Sequence, residues 1–427
     1  MALRRTILAN YAGAAAVALA PVLALPWYLG ALGPKQFGLI GFIVMLQAVL
    51  GLLDAGMSQS LVREIAVRLG MNVTGKQSAA ALLFGFERIY WLFGLCVGSI
   101  TFLGADRVAA RWLNLADLPQ TMGTQAVCGA ALLFAAQFPG SVYRSLLVGA
   151  QAQIPLNGLT VGGALLRHAG AVLIVHCWPT LLAYLIWHVC TAFLETMLRG
   201  RLAWRTLDVD RSALQWDRRE IEPVWRSVAW MSGATWLGAL TVQMDKIVLS
   251  KMVSVEVFGY YSIAAALAVG VLQLIYPLIQ AVLPRAIHLR SDRARLRVLS
   301  IKLFCLIAIL VGFGAVSFAV TGKWLLQTWL RNPEVVQAVY PLLAILLVGS
   351  ALNAFYNVGY LNWLADQRTD RVFQVNALAL LLSVVIIPSL VGWYGAVGAA
   401  FGWLTINLIG FLLSLEWLNK KRGAENF

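Results

Sequence analysis

Long apolar runs separated by short polar segments make up most of this chain. A run of about 20 apolar residues spans about 30 Å of hydrocarbon as an α-helix. The runs are too long and too continuously apolar for the strands of a membrane β-barrel, which alternate polar and apolar residues. The pattern therefore predicts an all-α polytopic membrane protein with about twelve transmembrane helices. Their predicted ranges are 9–30, 37–60, 79–103, 122–143, 155–176, 181–199, 227–250, 258–284, 299–321, 337–363, 372–392 and 395–417.

The composition of the chain supports the same class. Of its 427 residues, 60% are hydrophobic and only 12% are charged, which does not suit an ordinary soluble surface. The first apolar run, 9–30, is too long for the core of a secretory signal peptide and leads directly into a second span. We therefore expect this run to stay in the mature protein as its first transmembrane helix.

Lysine and arginine are distributed unevenly between the two sides of the predicted spans. Basic residues accumulate in cytoplasmic loops, so the side that is richer in them is predicted to be the inner side. With the N-terminus inside, the outer segments contain only Lys35, Arg107, Arg111, Lys251, Lys323 and Arg331. Both termini are therefore predicted to be cytoplasmic. The net charge of +14 reflects this topology and attraction to anionic lipids, and it does not indicate binding of nucleic acid.

The longest polar interruption lies halfway along the chain and divides six predicted spans from six. It predicts a cytoplasmic linker at 201–226 between an N-terminal lobe, 1–200, and a C-terminal lobe, 227–419. The remaining residues, 420–427, are predicted to form a cytoplasmic tail.

The two halves of the sequence also resemble each other. Phe37-Gly38 opens the second span and Arg63 lies beyond its inner end, whereas Phe258-Gly259 opens the eighth span and Arg285 closes it. These features repeat at an offset of about 221 positions. An even number of spans in each half predicts parallel repeats, an arrangement that secondary transporters use to enclose a central cavity.

Several short motifs are more distinctive than the hydrophobic pattern. They are Asn10, Pro21, the Leu-Gly-Pro-x-x-Phe-Gly turn at 32–38, Leu-Leu-Asp-Ala-Gly-Met-Ser at 52–58, Arg-Glu-Ile-Ala at 63–66, Met-Asp-Lys at 244–246 and Glu-Val-Phe-Gly-Tyr-Tyr-Ser-Ile-Ala at 256–264. In combination they resemble the Wzx-type polysaccharide and O-antigen flippases of the multidrug, oligosaccharidyl-lipid and polysaccharide exporter superfamily.

That resemblance implies a function that the hydrophobic pattern cannot give. Such proteins have two six-helix lobes and flip undecaprenyl-pyrophosphate-linked oligosaccharides from the cytoplasmic to the periplasmic leaflet of the bacterial inner membrane by alternating access. The implied partners are the polyprenyl-pyrophosphate-linked glycan, membrane lipids, a polysaccharide polymerase and a chain-length regulator. An ion-coupled multidrug antiporter shares the architecture and is the alternative.

Basic residues and histidines are the candidate contacts for the substrate, because a pyrophosphate needs a polar, cationic path across hydrocarbon. Arg167 lies about halfway through the fifth span, where an arginine costs at least about 2.5 kcal/mol on insertion scales. A structural ion pair is the alternative account of this residue. The other candidates for the cavity are His168, His188, Arg63, Arg144 and Arg285.

Acidic residues inside the spans are candidates for gating or ion coupling. Asp54 is expected to contact an inner basic residue such as Arg63, and Glu195 is judged too far in depth from Arg167 for direct pairing. Asp245 and Lys246 are adjacent, point roughly 100° apart on a helix and need not pair.

The energy source and the chemistry follow from what the sequence lacks. It contains no ATP-binding motif and no metal-ligand spacing, so we expect a transporter without cofactors that is coupled to a proton or sodium gradient, or to the substrate gradient. A membrane glycosyltransferase or polymerase should show a large outer loop or a soluble catalytic segment with acidic residues, and every predicted outer loop is short.

Overall fold

The structure, a computed structural model, describes residues 2–54, 56–70, 75–215 and 218–418. Over these residues the chain consists of helices and contains no strand. The helices are α1 (Ala2–Gly51), α2 (Met57–Leu69), α3 (Gly75–Leu103), α4 (Ala105–Trp112), α5 (Gln120–Gln137), α6 (Gly140–Gly149), α7 (Gln153–Cys177), α8 (Leu181–Leu207), α9 (Arg218–Met252), α10 (Val255–His288), α11 (Arg293–Leu330), α12 (Pro333–Ala365) and α13 (Thr369–Ser414). Three short 3₁₀ segments, Leu52–Asp54, Arg211–Ala213 and Leu415–Leu418, lie between or after them.

Nine segments in the described part of the chain are long and apolar enough to cross a membrane. The prediction of an all-helical, multi-pass membrane protein is therefore confirmed. Two of the nine, Gly13–Asp54 and Thr369–Leu418, are 42 and 50 residues long, more than the roughly 20 residues that one crossing needs. The count of twelve and the cytoplasmic termini stay predictions.

Glycines with positive φ interrupt the two longest helices. Gly33 (φ 75°, ψ 168°) breaks α1, and Gly395 (φ 56°, ψ −133°) breaks α13. Side chains with a Cβ rarely adopt such angles, so the chain can change direction at these two positions without the strain that another residue would bring. Gly33 lies between the predicted spans 9–30 and 37–60, and Gly395 is the first residue of the predicted span 395–417.

Polar caps fix the starts of several helices. The side chains of Thr180, Ser254 and Asn332 each accept a hydrogen bond from the first turn of α8, α10 and α12. These residues satisfy backbone N–H groups that have no partner within the helix.

Contacts divide the chain into two compact units, Met1–Trp236 and Leu237–Phe427. In the first unit, α7 packs against α1 and α8, and α5 packs against α3 and α8. In the second unit, α12 packs against α10, α11 and α13. The predicted linker at 201–226 begins inside α8 and ends inside α9, and the predicted tail at 420–427 lies outside the described residues.

A buried aromatic and aliphatic cluster forms the core of the first unit. Its fully buried members include Leu61, Ile65, Leu83, Phe86 and Tyr90, which α2 and α3 contribute. This core holds α3, which carries two of the polar residues described below, Glu87 and Tyr90.

Candidate functional site

Two arginines share one carboxylate between α7 and α8. Arg167 donates to Glu195 Oε2 at 2.5 Å, and Arg199 donates to Glu195 Oε1. The three side chains are 21%, 19% and 12% exposed for Arg167, Arg199 and Glu195. We call this group the charged triad; it has a net charge of +1 within apolar helices when all three side chains are ionised.

The sequence-based expectation that Arg167 and Glu195 do not pair is wrong. Arg167 lies ten residues before the end of α7 at Cys177, and Glu195 lies fourteen residues after the start of α8 at Leu181. Measured from the turn that joins the two helices, their depths differ by four residues, or about 6 Å at 1.5 Å per residue, which an arginine side chain can reach. The expectation failed because a depth difference of a few residues lies within the reach of a long arginine side chain.

The charged triad leaves hydrogen-bonding capacity unused. The Nε atoms of Arg167 and Arg199 are buried and have no hydrogen-bond partner within the described part of the chain. Gly163 also lies against the site, since a Cβ there would come within 3.0 Å of Glu195 Cδ. A glycine at this position lets α7 approach the carboxylate closely.

The two candidate histidines lie together in an aromatic cluster beside Arg167. The rings of His168 and His188 are 5.7 Å apart, and Tyr184 stacks on His188 at 3.9 Å. Tyr28 Oη lies 3.2 Å from His168 Nδ1, which links α1 to α7. His188 Nδ1 contacts the Tyr184 carbonyl at 3.0 Å, while its buried Nε2 has no partner among the described residues. Packing between α1, α7 and α8 is therefore one role of both histidines.

Asp54 connects the end of α1 to α2 and α3, but it does not contact Arg63. Its carboxylate accepts hydrogen bonds from Ser58 Oγ at 2.6 Å and from Tyr90 Oη at 2.7 Å. Arg63 is exposed on α2, and the basic residue whose charge acts on Asp54 is Arg144. The expected contact with Arg63 is absent because Arg63 lies nine residues, about two and a half helical turns, beyond Asp54, whereas Ser58 lies about one turn beyond it.

The predicted linker is attached to α3 through Glu87. Arg211 donates to Glu87 Oε2 at 2.8 Å and lies over the Trp204 ring at 4.2 Å. Tyr143 also donates to Glu87, at 2.5 Å. Three segments distant in sequence therefore meet at one carboxylate.

In the second unit, Asp245 and Lys246 do form an ion pair. Lys246 Nζ lies 3.1 Å from Asp245 Oδ1, and Tyr261 donates to Asp245 Oδ2 at 2.5 Å. Adjacent residues diverge on a helix, but the long lysine side chain folds back to the carboxylate. Arg285, also a candidate for the cavity, is exposed near the end of α10.

Several polar partners are not evident from the sequence. Tyr28, Tyr90 and Tyr261 each hold a candidate residue, yet nothing in their local sequence sets them apart from packing tyrosines. Arg199 could have been found, because it follows Glu195 by four residues and so lies on the same helix face.

Apolar helices that hold charged and polar groups between them are typical of membrane transporters. The fold agrees with that class. It resembles the lipid II flippase MurJ in its inward closed conformation with a TM-score of 0.75 and 11% identity, covering 96% of this chain and 86% of that chain. It also resembles an inward-facing multidrug resistance MATE family transporter of the MOP superfamily, with a TM-score of 0.72, 13% identity and coverage of 96% and 97%.

The chain belongs to the polysaccharide biosynthesis protein family, whose sequence model matches residues 31–333. It is 24% identical over 336 residues to the lipopolysaccharide biosynthesis protein WzxC of Escherichia coli (strain K12), covering 76% of this chain and 65% of that protein. It is 19% identical over 398 residues to a Shigella flexneri protein assigned as an O-antigen transporter, with coverage of 91% and 90%. The resemblance to Wzx-type polysaccharide flippases is thereby confirmed.

Proposed function

We propose that this protein flips undecaprenyl-pyrophosphate-linked oligosaccharide from the cytoplasmic to the periplasmic leaflet of a bacterial inner membrane by alternating access. Membership of the polysaccharide biosynthesis protein family is the observation that carries the proposal. The names of its relatives, a lipopolysaccharide biosynthesis protein and an O-antigen transporter, point to the same class of substrate.

The charged triad supplies the chemistry that a pyrophosphate needs. Arginine suits phosphate because its planar guanidinium can donate two parallel hydrogen bonds. Arg167 and Arg199 hold only one carboxylate between them, and each keeps an unpartnered Nε. In the proposed mechanism these two arginines contact the pyrophosphate while the polyprenyl tail stays in lipid. Arg63, Arg144 and Arg285, which are exposed, are proposed to attract the anion at the cytoplasmic entrance.

Ion coupling is part of the proposal and has its own test. Glu195, Asp54 and Asp245 are the acidic candidates, and each accepts hydrogen bonds inside the described units. Transport of the lipid-linked oligosaccharide in vesicles should slow when the gradient of the coupling ion is collapsed, and collapsing the proton and sodium gradients separately identifies that ion. Flux that survives both treatments would leave the substrate gradient as the driving force.

Complementation of a flippase-deleted bacterium tests the proposed function. The intact gene should restore surface polysaccharide, whereas Arg167→Ala and Arg199→Ala should abolish most of it at matched membrane abundance. Arg107→Ala, at an exposed position on α4, is the matched control and should behave like the intact gene. Full activity of both triad variants would show that the triad is structural.

The alternative function is an ion-coupled multidrug antiporter. Its fold is shared, but the charged triad has more positive than negative charge, which disfavours organic cations. An intact gene that confers resistance to cationic drugs and restores no polysaccharide, with several glycans tested, would favour this alternative.

A further inference from the structure

One face of α10 is polar and uncharged although the helix is otherwise apolar. Gln273, Tyr276 and Gln280 follow one another at intervals of three and four residues, so they share one helix face. Both glutamines are exposed, and Tyr276 is 36% exposed. No charged residue occurs between Glu256 and Arg285.

Two tyrosines of α12 extend this face within the same unit. Tyr356 and Tyr360 are four residues apart, and their ring centroids are separated by 5.9 Å. Helices α10 and α12 pack together, and Tyr276 and Tyr360 both lie near Tyr356. We call the five residues Gln273, Tyr276, Gln280, Tyr356 and Tyr360 the uncharged polar surface.

The polar groups of this surface have no hydrogen-bond partner among the described residues. Within the described part of the chain, none of the five side chains makes a hydrogen bond. By contrast, the hydroxyls of five other helical tyrosines are used internally: Tyr28 contacts His168, Tyr90 contacts Asp54, Tyr143 contacts Glu87, Tyr260 contacts Glu256 and Tyr261 contacts Asp245. Three hydroxyls and two amides therefore remain available to a ligand.

The uncharged polar surface does not have the composition of a lipid-facing surface. Helix α11 shows what a lipid-facing helix of this unit looks like, since it exposes Ile309, Phe313, Val316 and Val320. Among the described side chains of α10 from Val255 to Ala286, Tyr276 is the exposed large hydrophobic residue, and it carries a hydroxyl. Exposed amides and hydroxyls are unfavourable in hydrocarbon, so this face requires a polar environment.

We propose that the uncharged polar surface binds the sugar rings of the lipid-linked glycan. Tyrosine offers a flat ring that can stack on the apolar C–H face of a sugar, together with a hydroxyl at its edge. Hydroxyl and amide groups both donate and accept hydrogen bonds, which matches the alternating donors and acceptors of a polyhydroxylated ligand. The absence of charge favours an uncharged ligand over a phosphate. This inference rests on the proposed function.

Two probes separate recognition of the sugar from recognition of the lipid pyrophosphate. The full-length protein in lipid nanodiscs is titrated with undecaprenyl pyrophosphate and with the same lipid carrying a neutral oligosaccharide. The wild-type protein should bind the glycosylated probe more tightly, and the ratio of the two Kd values measures the contribution of the sugar. Replacing Tyr276, Tyr356 and Tyr360 together by Phe keeps the rings and removes the hydroxyls, and should reduce this ratio by about tenfold.

One further variant tests the glutamines, and two control variants show whether a change in the Kd ratio is specific to the uncharged polar surface. Gln273→Leu combined with Gln280→Leu should also reduce the ratio. Tyr340→Phe, whose ring stacks on Phe318 in the same unit, should leave it unchanged. Arg167→Ala should weaken both probes by a similar factor and so preserve the ratio.

Three results would overturn the inference. An unchanged ratio in the tyrosine and glutamine variants, or equal binding of the two probes by the wild type, would show that this surface does not recognise sugar. Failure of the wild type to bind either probe, together with failed complementation, would overturn the proposed function and the inference with it.

Discussion

At the residue scale, two carboxylates of the first unit are held by partners on neighbouring helices. The Glu195 carboxylate holds arginines from α7 and α8, and the Asp54 carboxylate holds Tyr90 of α3. Such contacts replace the hydrogen bonds to water that these groups lose inside the membrane. A carboxylate that binds two arginines is expected to contribute more to stability than either arginine.

A double-mutant cycle tests whether Glu195 contributes more to stability than Arg167. Glu195→Gln should lower the unfolding free energy by about 1–3 kcal/mol, because it leaves two partly buried arginines without their counter-charge. Arg167→Ala should cost less, since Arg199 still pairs with Glu195. The double variant should be less destabilised than the sum of the two single variants, measured by thermal unfolding in detergent. Additive effects would contradict direct coupling between Arg167 and Glu195.

Tyr261→Phe tests the buried contact in the second unit. Asp245 has a 4% exposed side chain and would lose the hydrogen bond from Tyr261, at a cost of about 1–3 kcal/mol. Tyr394→Phe, at a 61% exposed position, should change stability by less than about 0.5 kcal/mol. Equal unfolding midpoints for the two variants would count against a stabilising role of the Tyr261 hydroxyl.

At the element scale, glycine determines where two long helices break. A Cβ at Gly33 would meet no atom within 4 Å, so the requirement for glycine there comes from its backbone angles alone. The same holds for Gly395. The predicted span boundaries lie near both glycines because the hydropathy pattern changes there, although a hydropathy pattern does not give φ values.

A comparison of Gly33 with Gly30 isolates the backbone effect. Both positions have open space for a Cβ, but only Gly33 has a positive φ. Gly33→Ala should destabilise the protein by about 1–3 kcal/mol. Gly30→Ala should be neutral or stabilising by up to about 1 kcal/mol, because alanine is the better helix former. Unfolding midpoints provide the measurement, and equal destabilisation by the two variants would refute the backbone explanation.

At the scale of the whole molecule, two ion pairs agree with the predicted assignment of loops to sides of the membrane. Lys35 and Asp117, both predicted to be outside, are 2.7 Å apart, and the hydrogen bond from Lys35 lowers the pKa of the exposed Asp117 carboxyl. Arg293 and Asp366, both predicted to be inside, are also 2.7 Å apart. Each ion pair joins two segments of one unit that are predicted to lie on the same side of the membrane. Which side is cytoplasmic is predicted from the distribution of basic residues.

Cysteine labelling tests the orientation. In a background without the five native cysteines, Asp117→Cys should react with an impermeant maleimide added to intact spheroplasts. Asp292→Cys, in the exposed turn before α11, should react only after the membrane is opened. The reverse pattern would invert the predicted topology.

The sequence by itself determined the class of this protein, because the length and apolarity of each run are local properties that hydrocarbon selects directly. It also determined that Arg167, Glu195, Asp54 and Asp245 are unusual, since a charge in an apolar run is visible without a structure. The tertiary structure decided which partner each residue has: Arg167 pairs with Glu195, Asp54 accepts from Tyr90 and not Arg63, and Asp245 holds Lys246 and Tyr261. Those pairings depend on where helices end and how they register against one another, and an error of a few residues in a helix end moves a side chain by several ångströms. The uncharged polar surface likewise became visible only when α10 and α12 were placed together, because single glutamines and tyrosines in apolar runs look like ordinary packing residues.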